Sequence, residues 1–255
     1  LEVGCEELPS SACREIVEQA PDLLATALAS AGVPEGWTAR VSVAPRRFAL
    51  EVAGLPAELA PTRRTVRGPA AGAAFGADGA PTKAATGFAR GQGVAVEDLV
   101  VREDGGREFV FAELHGEGRR MADLVPDLAD HIIGGLRFSK TMRWGDGTGL
   151  RFSRPVRWIV AKLDEDTVPF VVHGLTAGDL SQGHRFLGGP ATIASAGDYA
   201  SALEAVAVIP DHERRRASIL AGLAAAAEAA GGGWSDPGGQ LEGGARLVEG
   251  PERLA

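Results

Sequence analysis

The stretch RVSVAPRRFALEV, residues 40–52, contains two short runs in which apolar and polar residues alternate. The alternating apolar positions are Val41, Val43, Phe48, Leu50 and Val52. Alternation at period two predicts strands with one buried face, and the APRR segment between the runs (44–47) predicts a tight reversal. The stretch therefore indicates a β-hairpin and, with it, an antiparallel sheet.

Helical periodicity occurs both before and after this hairpin. Apolar residues recur at helical spacing over 16–31 and 121–136, which predicts two helices. A third helix is predicted over 211–230, where Pro210 and Asp211 mark its beginning and a run of glycines marks its end. Pro21 interrupts the first pattern, so we expect a break or a kink there. Glycines follow the first and third predicted helices, at the positions where helices commonly end.

The rest of the chain mixes further strand signals with one segment of a different character. Residues 61–98 are rich in Gly and Ala and show no alternation, with one short helix expected in PTKAATGFARGQG. Turn sequences at 103–108 (EDGGRE) and 164–167 (DEDT) lie between alternating runs and predict two more hairpins. The predicted class is α+β, with mostly antiparallel strands, packed helices and a small helical insert. The expected segments are an N-terminal alpha-beta segment (1–60), the small helical insert (61–98), a strand-rich continuation of the same core (99–208), and a helix with the truncated start of a following region (209–255).

Composition is that of an ordinary soluble chain. The 255 residues are 45% hydrophobic and 24% charged, with a formal net charge of -8. The two cysteines, Cys5 and Cys13, do not form a CxxC pair, and no apolar run is long enough to span a membrane. We therefore expect a cytoplasmic protein with no membrane partner. Because the chain opens without Met and ends in an apolar-charged pattern, we also expect it to be an internal piece of a longer protein.

Charge is distributed unevenly along the chain. Residues 40–67 contain six arginines against two glutamates, and residues 137–158 contain six cations against Asp146. Residues 97–130 carry ten acids against four arginines. Such asymmetry can mark a nucleic-acid face. It can equally reflect basic and acidic segments that pair within the fold, and the sequence leaves both readings open.

Arginines of the basic segments supply the candidate site residues. The candidates for RNA contact are Arg46, Arg47, Arg143, Arg151, Arg157 and Arg185. If residues 150–160 form one strand, Arg154 falls in phase with the apolar residues and is expected to hold a structural ion pair. Arg151 and Arg157 fall on the opposite face, where solvent or RNA would meet them.

Familiar catalytic and metal-binding signatures are missing from the sequence. There is no P-loop, HExxH or GxSxG motif, and the five histidines are scattered. No catalytic residue, metal ligand or bound cofactor is therefore assigned to this chain.

Several segments together resemble the bacterial glycyl-tRNA synthetase beta subunit family. In chain order they are GCEELPS (4–10), APRRFAL (44–50), RGPA (67–70), AFGADGAPTKAATGFARGQGV (74–94), RFSKTMRWG (137–145), FSRPVRWIVAKL (152–163) and GHRF (183–186). The resemblance continues more weakly through 211–230. Two departures are Cys5, where Thr is usual, and a chain much shorter than the family's beta subunit.

The resemblance implies the front part of a glycine--tRNA ligase of two alpha and two beta subunits. Such an enzyme joins glycine to tRNA(Gly) with ATP and Mg, and the adenylate forms in the alpha subunit. The implied partners are the alpha subunit, a second beta subunit and tRNA(Gly). The implied role of this segment is tRNA engagement or subunit assembly, so this chain alone is expected to be inactive.

Two other hypotheses remain open from the residues themselves. One is a free-standing RNA-binding module without catalysis, which the net charge of -8 disfavours. The other is a small hydrolase that uses Glu6, Glu7 or a histidine. Glu6 and Glu7 fit better as acids at the beginning of a helix, where they complement its dipole.

Overall fold

The computed structural model describes residues 1–61, 63–76, 78–116, 118–144 and 149–250. Within this range the chain forms two compact units. The first unit contains Leu1–Ala57 and the chain from Met121 onward, and the second contains Glu58–Arg120. Helices and antiparallel strands are mixed in both, so the predicted α+β class is confirmed.

The α-helices of the described chain are α1 (Ser10–Ala31), α2 (Ala71–Ala74), α3 (Lys83–Gln92), α4 (Met121–Gly135), α5 (Tyr199–Glu204), α6 (His212–Ala229) and α7 (Gln240–Ala245), with a short 3₁₀ turn at Val96–Asp98. The strands are β1 (Glu2–Cys5), β2 (Thr38–Ala44), β3 (Arg47–Ala53), β4 (Glu58–Leu59), β5 (Arg63–Ala70), β6 (Val100–Asp104), β7 (Arg107–His115), β8 (Arg119–Arg120), β9 (Met142–Trp144), β10 (Leu150–Phe152), β11 (Val156–Val160), β12 (Lys162–Leu163), β13 (Asp166–Thr167), β14 (Val171–Val172), β15 (Leu175–Gly178), β16 (Leu180–Gln182) and β17 (Pro190–Thr192).

A six-stranded sheet forms the centre of the first unit, in the order β14-β15-β11-β1-β3-β2. The predicted hairpin of residues 40–52 is confirmed as β2 and β3, with Val41 opposite Leu50. Strand β1 lies between β3 and β11 and is antiparallel to both. Only the pairing of β11 with β15 is parallel among the described strands of this sheet. The first residues of the chain therefore lie in the middle of the sheet, where β1 is buried.

The long helix α1 contributes one face to the core. Ile16, Ala20 and Leu24 are buried along a single stripe, as the periodicity predicts. α1 continues through Pro21 without a break, and a kink at this position stays a prediction. Pro21 lies on the exposed side of the helix, where the stripe of buried residues is undisturbed. Gly32 then ends α1 in the left-handed conformation at φ 81°.

The second unit is larger than the predicted helical insert and is built around a sheet of its own. Strand β7 pairs with β5 on one side and with β6 on the other. Residues 99–120 therefore belong to the insert, and their assignment to the strand-rich continuation 99–208 is wrong. Helices α2 and α3 pack against one face of this sheet, around buried Val110 and Ala112.

The C-terminal segment is part of the first unit. Residues 209–255 were expected to begin a following region, but the described part, 209–250, packs on the central sheet. The Ile209 amide donates to the Glu249 carbonyl oxygen at 2.7 Å. Arg215 of α6 donates to carbonyl oxygens of Val43 on β2 and Ala245 on α7. These contacts join α6 and α7 to the hairpin that begins the fold.

Candidate nucleic-acid interface

Arg47, a predicted RNA contact, lies in the interior at the beginning of β3. Its side chain is 1% exposed, and Nη2 lies 2.9 Å from Glu249 Oε1. Nη1 donates to Ser181 Oγ at 3.0 Å and lies 3.6 Å from Glu2 Oε2. The prediction of RNA contact is wrong for this residue, because buried carboxylates surround a guanidinium that solvent does not reach. Burial by itself would lower the pKa of Arg47, but the charges around it and its hydrogen bond to Glu249 together outweigh burial and raise the pKa.

Arg46 belongs to the edge of the same buried network. It is 13% exposed, with Nη1 3.5 Å from Glu249 Oε2 and 3.2 Å from the Gly183 carbonyl oxygen that accepts its hydrogen bond. The guanidiniums of Arg46 and Arg47 lie 5.7 and 5.5 Å from the ring centre of Trp158. These contacts occupy Arg46 structurally, and its role as an RNA contact stays a prediction.

Trp158 completes this network from β11. Its Nε1 donates to Glu2 Oε1, and its ring lies directly over Gly4, where a Cβ would come within 1.8 Å of Trp158 Cε2. A glycine on β1 is therefore required for the indole to reach the carboxylate.

Arg157 and Arg185 are brought together by the acids that precede α1. Arg157 Nε lies 3.5 Å from Glu6 Oε1, and Arg185 Nη2 lies 3.0 Å from Glu6 Oε2 and 2.7 Å from Glu7 Oε1. The two arginines are 62% and 43% exposed. Both side chains are therefore accessible to solvent. Surface pairs of this kind also contribute little to stability. Contact of either one with RNA stays a prediction.

The structural ion pair predicted for Arg154 is not formed with any residue that the structure describes. Arg154 is half-buried, and its Nη1 donates to the Ser153 carbonyl oxygen at 3.0 Å. No carboxylate within the described ranges pairs with it. The reason lies in the backbone, since residues 150–160 are not one strand: β10 ends at Phe152 and pairs with β9, and β11 begins at Val156 in the central sheet.

A second buried cation, Arg215, was missed by the sequence reasoning. It is 0% exposed, and its guanidinium donates to the carbonyl oxygens of Ile209 at 2.6 Å and Pro210 at 2.8 Å, besides those on β2 and α7. Burial lowers its pKa to about 10. Nothing in the local sequence distinguishes it from Arg214 and Arg216. It differs from them only in its position on the face of α6 that contacts β2 and α7.

The remaining candidates, Arg143 and Arg151, form an exposed cationic feature of the first unit. They lie directly opposite each other on the two-stranded ribbon of β9 and β10, and both are exposed. Arg137 and Lys140, also exposed, immediately precede β9. We call these four residues the basic ribbon. Asp146, the acid of this stretch, lies outside the described residues.

The arginines of the basic ribbon have no anionic partner in the part of the chain that the structure describes. Arg151 Nη2 donates to Thr141 Oγ1 at 3.3 Å, and Arg137 Nη1 donates to the carbonyl oxygen of Gly134 near the end of α4 at 2.7 Å. Like charges directly opposite on a ribbon are destabilising. The arrangement therefore favours an anion that would neutralise both.

A cleft of about 530 Å³ opens beside the ribbon. Its lining includes Arg137, Thr141, Arg151 and His173, together with the ring of Phe138. Phe138 is held by edge-to-face packing on buried Phe152, with ring centres 4.8 Å apart. Guanidinium and hydroxyl donors on a fixed aromatic base can bind phosphate or another oxyanion.

Other site chemistries find little support in the described chain. Its His, Cys, Asp and Glu side chains form no cluster of three or more that could hold a metal ion. Cys5 and Cys13 are free and buried, and burial raises the pKa of Cys13 to about 11. Among the described helices, none combines the length and the apolar character that a membrane span requires.

Comparison with known proteins agrees with this picture. The profile of the family described as "Glycyl-tRNA synthetase beta subunit" matches residues 1–255. Proteins named glycine--tRNA ligase beta subunit are similar to the chain. The one from Desulforudis audaxviator is 42% identical over 92% of this chain and 34% of its own length. Those from Desulfitobacterium hafniense (strain DSM 10664 / DCB-2) and Moorella thermoacetica are each 38% identical, over 91% and 100% of this chain.

The coverage of these relatives bears on what the chain represents. It spans about a third of their length, with 33% of the Desulfitobacterium protein and 36% of the Moorella protein matched. The match to the family profile nonetheless runs over all 255 residues. The chain belongs to the glycyl-tRNA synthetase beta subunit family.

Proposed function

We propose that this chain is the front part of the beta subunit of a glycine--tRNA ligase, and that its basic ribbon contacts the phosphate backbone of tRNA(Gly). The observation that carries the proposal is the opposition of Arg143 and Arg151 on an exposed ribbon without an anionic partner among the described residues. Phosphate contacts by arginine supply much of the affinity of proteins for nucleic acid. Because the overall charge is -8, such contact would depend on local cationic features rather than on the net charge.

The proposal divides the reaction between subunits. The alpha subunit would bind ATP, Mg and glycine and form the adenylate, and the beta subunit would hold the tRNA in a cytoplasmic complex of two alpha and two beta subunits. This chain contributes no catalytic residue in that scheme. We expect the chain alone to show no glycine-dependent pyrophosphate exchange above a blank and no charging of tRNA.

The proposal is tested in the complete enzyme, with full-length beta subunit assembled with alpha subunit. In the variant Arg143→Ala/Arg151→Ala, tRNA affinity should fall and glycine-dependent pyrophosphate exchange should not change. Loss of two phosphate contacts should flatten the dependence of log affinity on log salt by nearly two units of slope. Filter binding at several salt concentrations measures this slope.

Arg14→Ala is the control for this test. Arg14 is an arginine of α1, 59% exposed and paired only on the surface with Glu18, so its removal should leave affinity and slope unchanged. An unchanged slope in the ribbon variant would contradict the proposal. A fall in pyrophosphate exchange would contradict the division of labour between the subunits.

A further inference from the structure

The second unit presents a sheet face that the proposed function does not use. Side chains alternate along β7, and Val110 and Ala112 point to the face covered by α2 and α3. Phe109 and Phe111 point to the opposite face and are half-buried. We call this opposite face of β5, β7 and β6 the outer face.

Arginines flank the two phenylalanines on the outer face. The register places Arg67 of β5 opposite Phe111 and Arg102 of β6 opposite Phe109. The Arg67 guanidinium also lies over the Phe109 ring, 3.6 Å from its centre. A guanidinium plane on an aromatic ring is a surface on which a nucleobase can stack in turn.

Charge on the outer face favours an anionic occupant, although two acids share the face. Asp104 pairs with Arg67 at 2.7 Å, and Glu113 pairs with Arg102. These carboxylates fix the guanidiniums beside the rings. Arg63, further along β5 on the same face, is exposed, and no carboxylate within the described ranges pairs with it. Its charge is available to a phosphate.

We infer that the outer face is a stacking platform for unpaired nucleotides of RNA, with one base on the Arg67 guanidinium that covers Phe109, another base on Phe111, and phosphate near Arg63. Aromatic side chains on the central strand of an antiparallel sheet, flanked by arginines, bind single strands without requiring a particular sequence. Double-stranded RNA does not offer its bases to such a face. The inference concerns a site separate from the basic ribbon, and it rests on the proposed function only in taking the RNA to be tRNA.

The test measures binding of the 255-residue chain to a fluorescent single-stranded RNA of about ten nucleotides by anisotropy, with the same RNA in duplex form for comparison. The variant Phe109→Leu/Phe111→Leu keeps apolar side chains but removes the rings. It should weaken binding to the single strand at least tenfold, since stacking on Phe111 and on the guanidinium that the Phe109 ring supports is lost, and should leave duplex binding unchanged. Thermal melts establish whether the variant is folded.

A charge reversal gives a second test that does not alter the rings. Arg63→Glu should weaken single-strand binding severalfold, and Lys83→Glu should not. Lys83 begins α3 on the covered side of the unit, where an acid suits the helix dipole, so this control matches the change in charge. If neither Arg63→Glu nor the leucine variant weakens single-strand binding, or if the native chain binds no single-stranded RNA, the inference is wrong.

The basic-ribbon variant separates this inference from the proposed function. Arg143→Ala/Arg151→Ala should reduce tRNA binding and leave binding of the single strand unchanged. If that variant abolishes single-strand binding while the leucine variant retains it, the ribbon is the site and the platform is excluded. If the outer face binds a protein and no RNA, the stacking platform is excluded as well.

Discussion

At the residue scale, Arg47 connects distant parts of the chain through buried charge. Its guanidinium lies between Glu2 of β1 and Glu249, which is near the end of the described chain. All three side chains are at most 5% exposed. Ion pairs of this kind contribute less to net stability than their geometry suggests, because both charges must be desolvated. Removal of one member is costly, since the other charges stay buried without compensation.

Replacement of Arg47 should therefore destabilise the protein strongly. We expect Arg47→Met to lower the free energy of unfolding by about 3–5 kcal/mol, because Glu2 and Glu249 would lose their shared cation. Urea unfolding followed by tryptophan fluorescence measures the change.

Arg157→Ala is the comparison for that measurement. Arg157 is 62% exposed and pairs with Glu6 only at the surface, so the expected loss is within about 0.5 kcal/mol. If Arg157→Ala lowers the free energy of unfolding more than Arg47→Met does, then Arg157 and not Arg47 is the structural cation.

At the element scale, α6 and α7 are joined by a cluster of charges around Glu242. His212 Nε2 lies 2.9 Å from Glu242 Oε1, and Arg246 Nη2 approaches the same oxygen at 2.6 Å. The hydrogen bond to His212 is the largest of the effects that hold the pKa of Glu242 below its ordinary value of 4.5. A carboxyl whose pKa is lower in the folded state stabilises the fold above its unfolded pKa. That stabilisation is lost as the pH falls through the folded value.

His212→Gln should weaken this pH dependence. The pKa of Glu242 should rise toward its ordinary value, as observed by carboxyl-detected NMR titration between pH 2 and 6. The free energy of unfolding of the native chain should decline further below about pH 4.3 than that of the variant. An unchanged Glu242 titration in the variant would show that Arg246 and Arg216 hold the carboxylate without His212.

At the scale of the whole molecule, the second unit is an insertion whose ends meet. The Met121 amide donates to the Ala57 carbonyl oxygen at 2.8 Å, so the chain leaves and re-enters the first unit at nearly one point. The sheet of the second unit is complete within Glu58–Arg120. Insertions joined in this manner are commonly independent of the surrounding fold.

Excision of the insertion should leave the first unit folded. In a variant with residues 59–119 replaced by a short glycine linker, we expect a cooperative thermal transition and a circular dichroism spectrum that retains helix.

Truncation after Val208 should abolish the transition, because it removes Arg215 and Glu249. Arg215 donates a buried hydrogen bond to the central hairpin, and Glu249 accepts one from it. A folded truncation and an unfolded excision would show that the unit boundaries are wrong.

Local patterns in the sequence predicted the helices and strands that are specified by residues close to one another in the chain. The hairpin at 40–52 and the helix at 121–136 follow from alternation or helical spacing alone, since each element buries one face. The helix at 211–230 follows instead from the residues that begin and end it, because the residue it buries is a cation, Arg215. The family followed from ordered segments in the same way. The arginines of the basic ribbon lie in the basic segment 137–158, for which the sequence left open an exposed face or internal ion pairs.

Only the tertiary structure decided which arginines are buried and where the units divide. Arg46, Arg47 and Arg154 occur in equally basic stretches, but burial depends on partners such as Glu249, 202 residues from Arg47 in sequence. The boundary at Arg120 depends likewise on pairing of β5 with β7 across the Gly- and Ala-rich segment. A local sequence pattern does not identify such long-range partners. The energy of a buried charge or of a strand edge depends on the residues that the fold places next to it, and these can be distant in sequence.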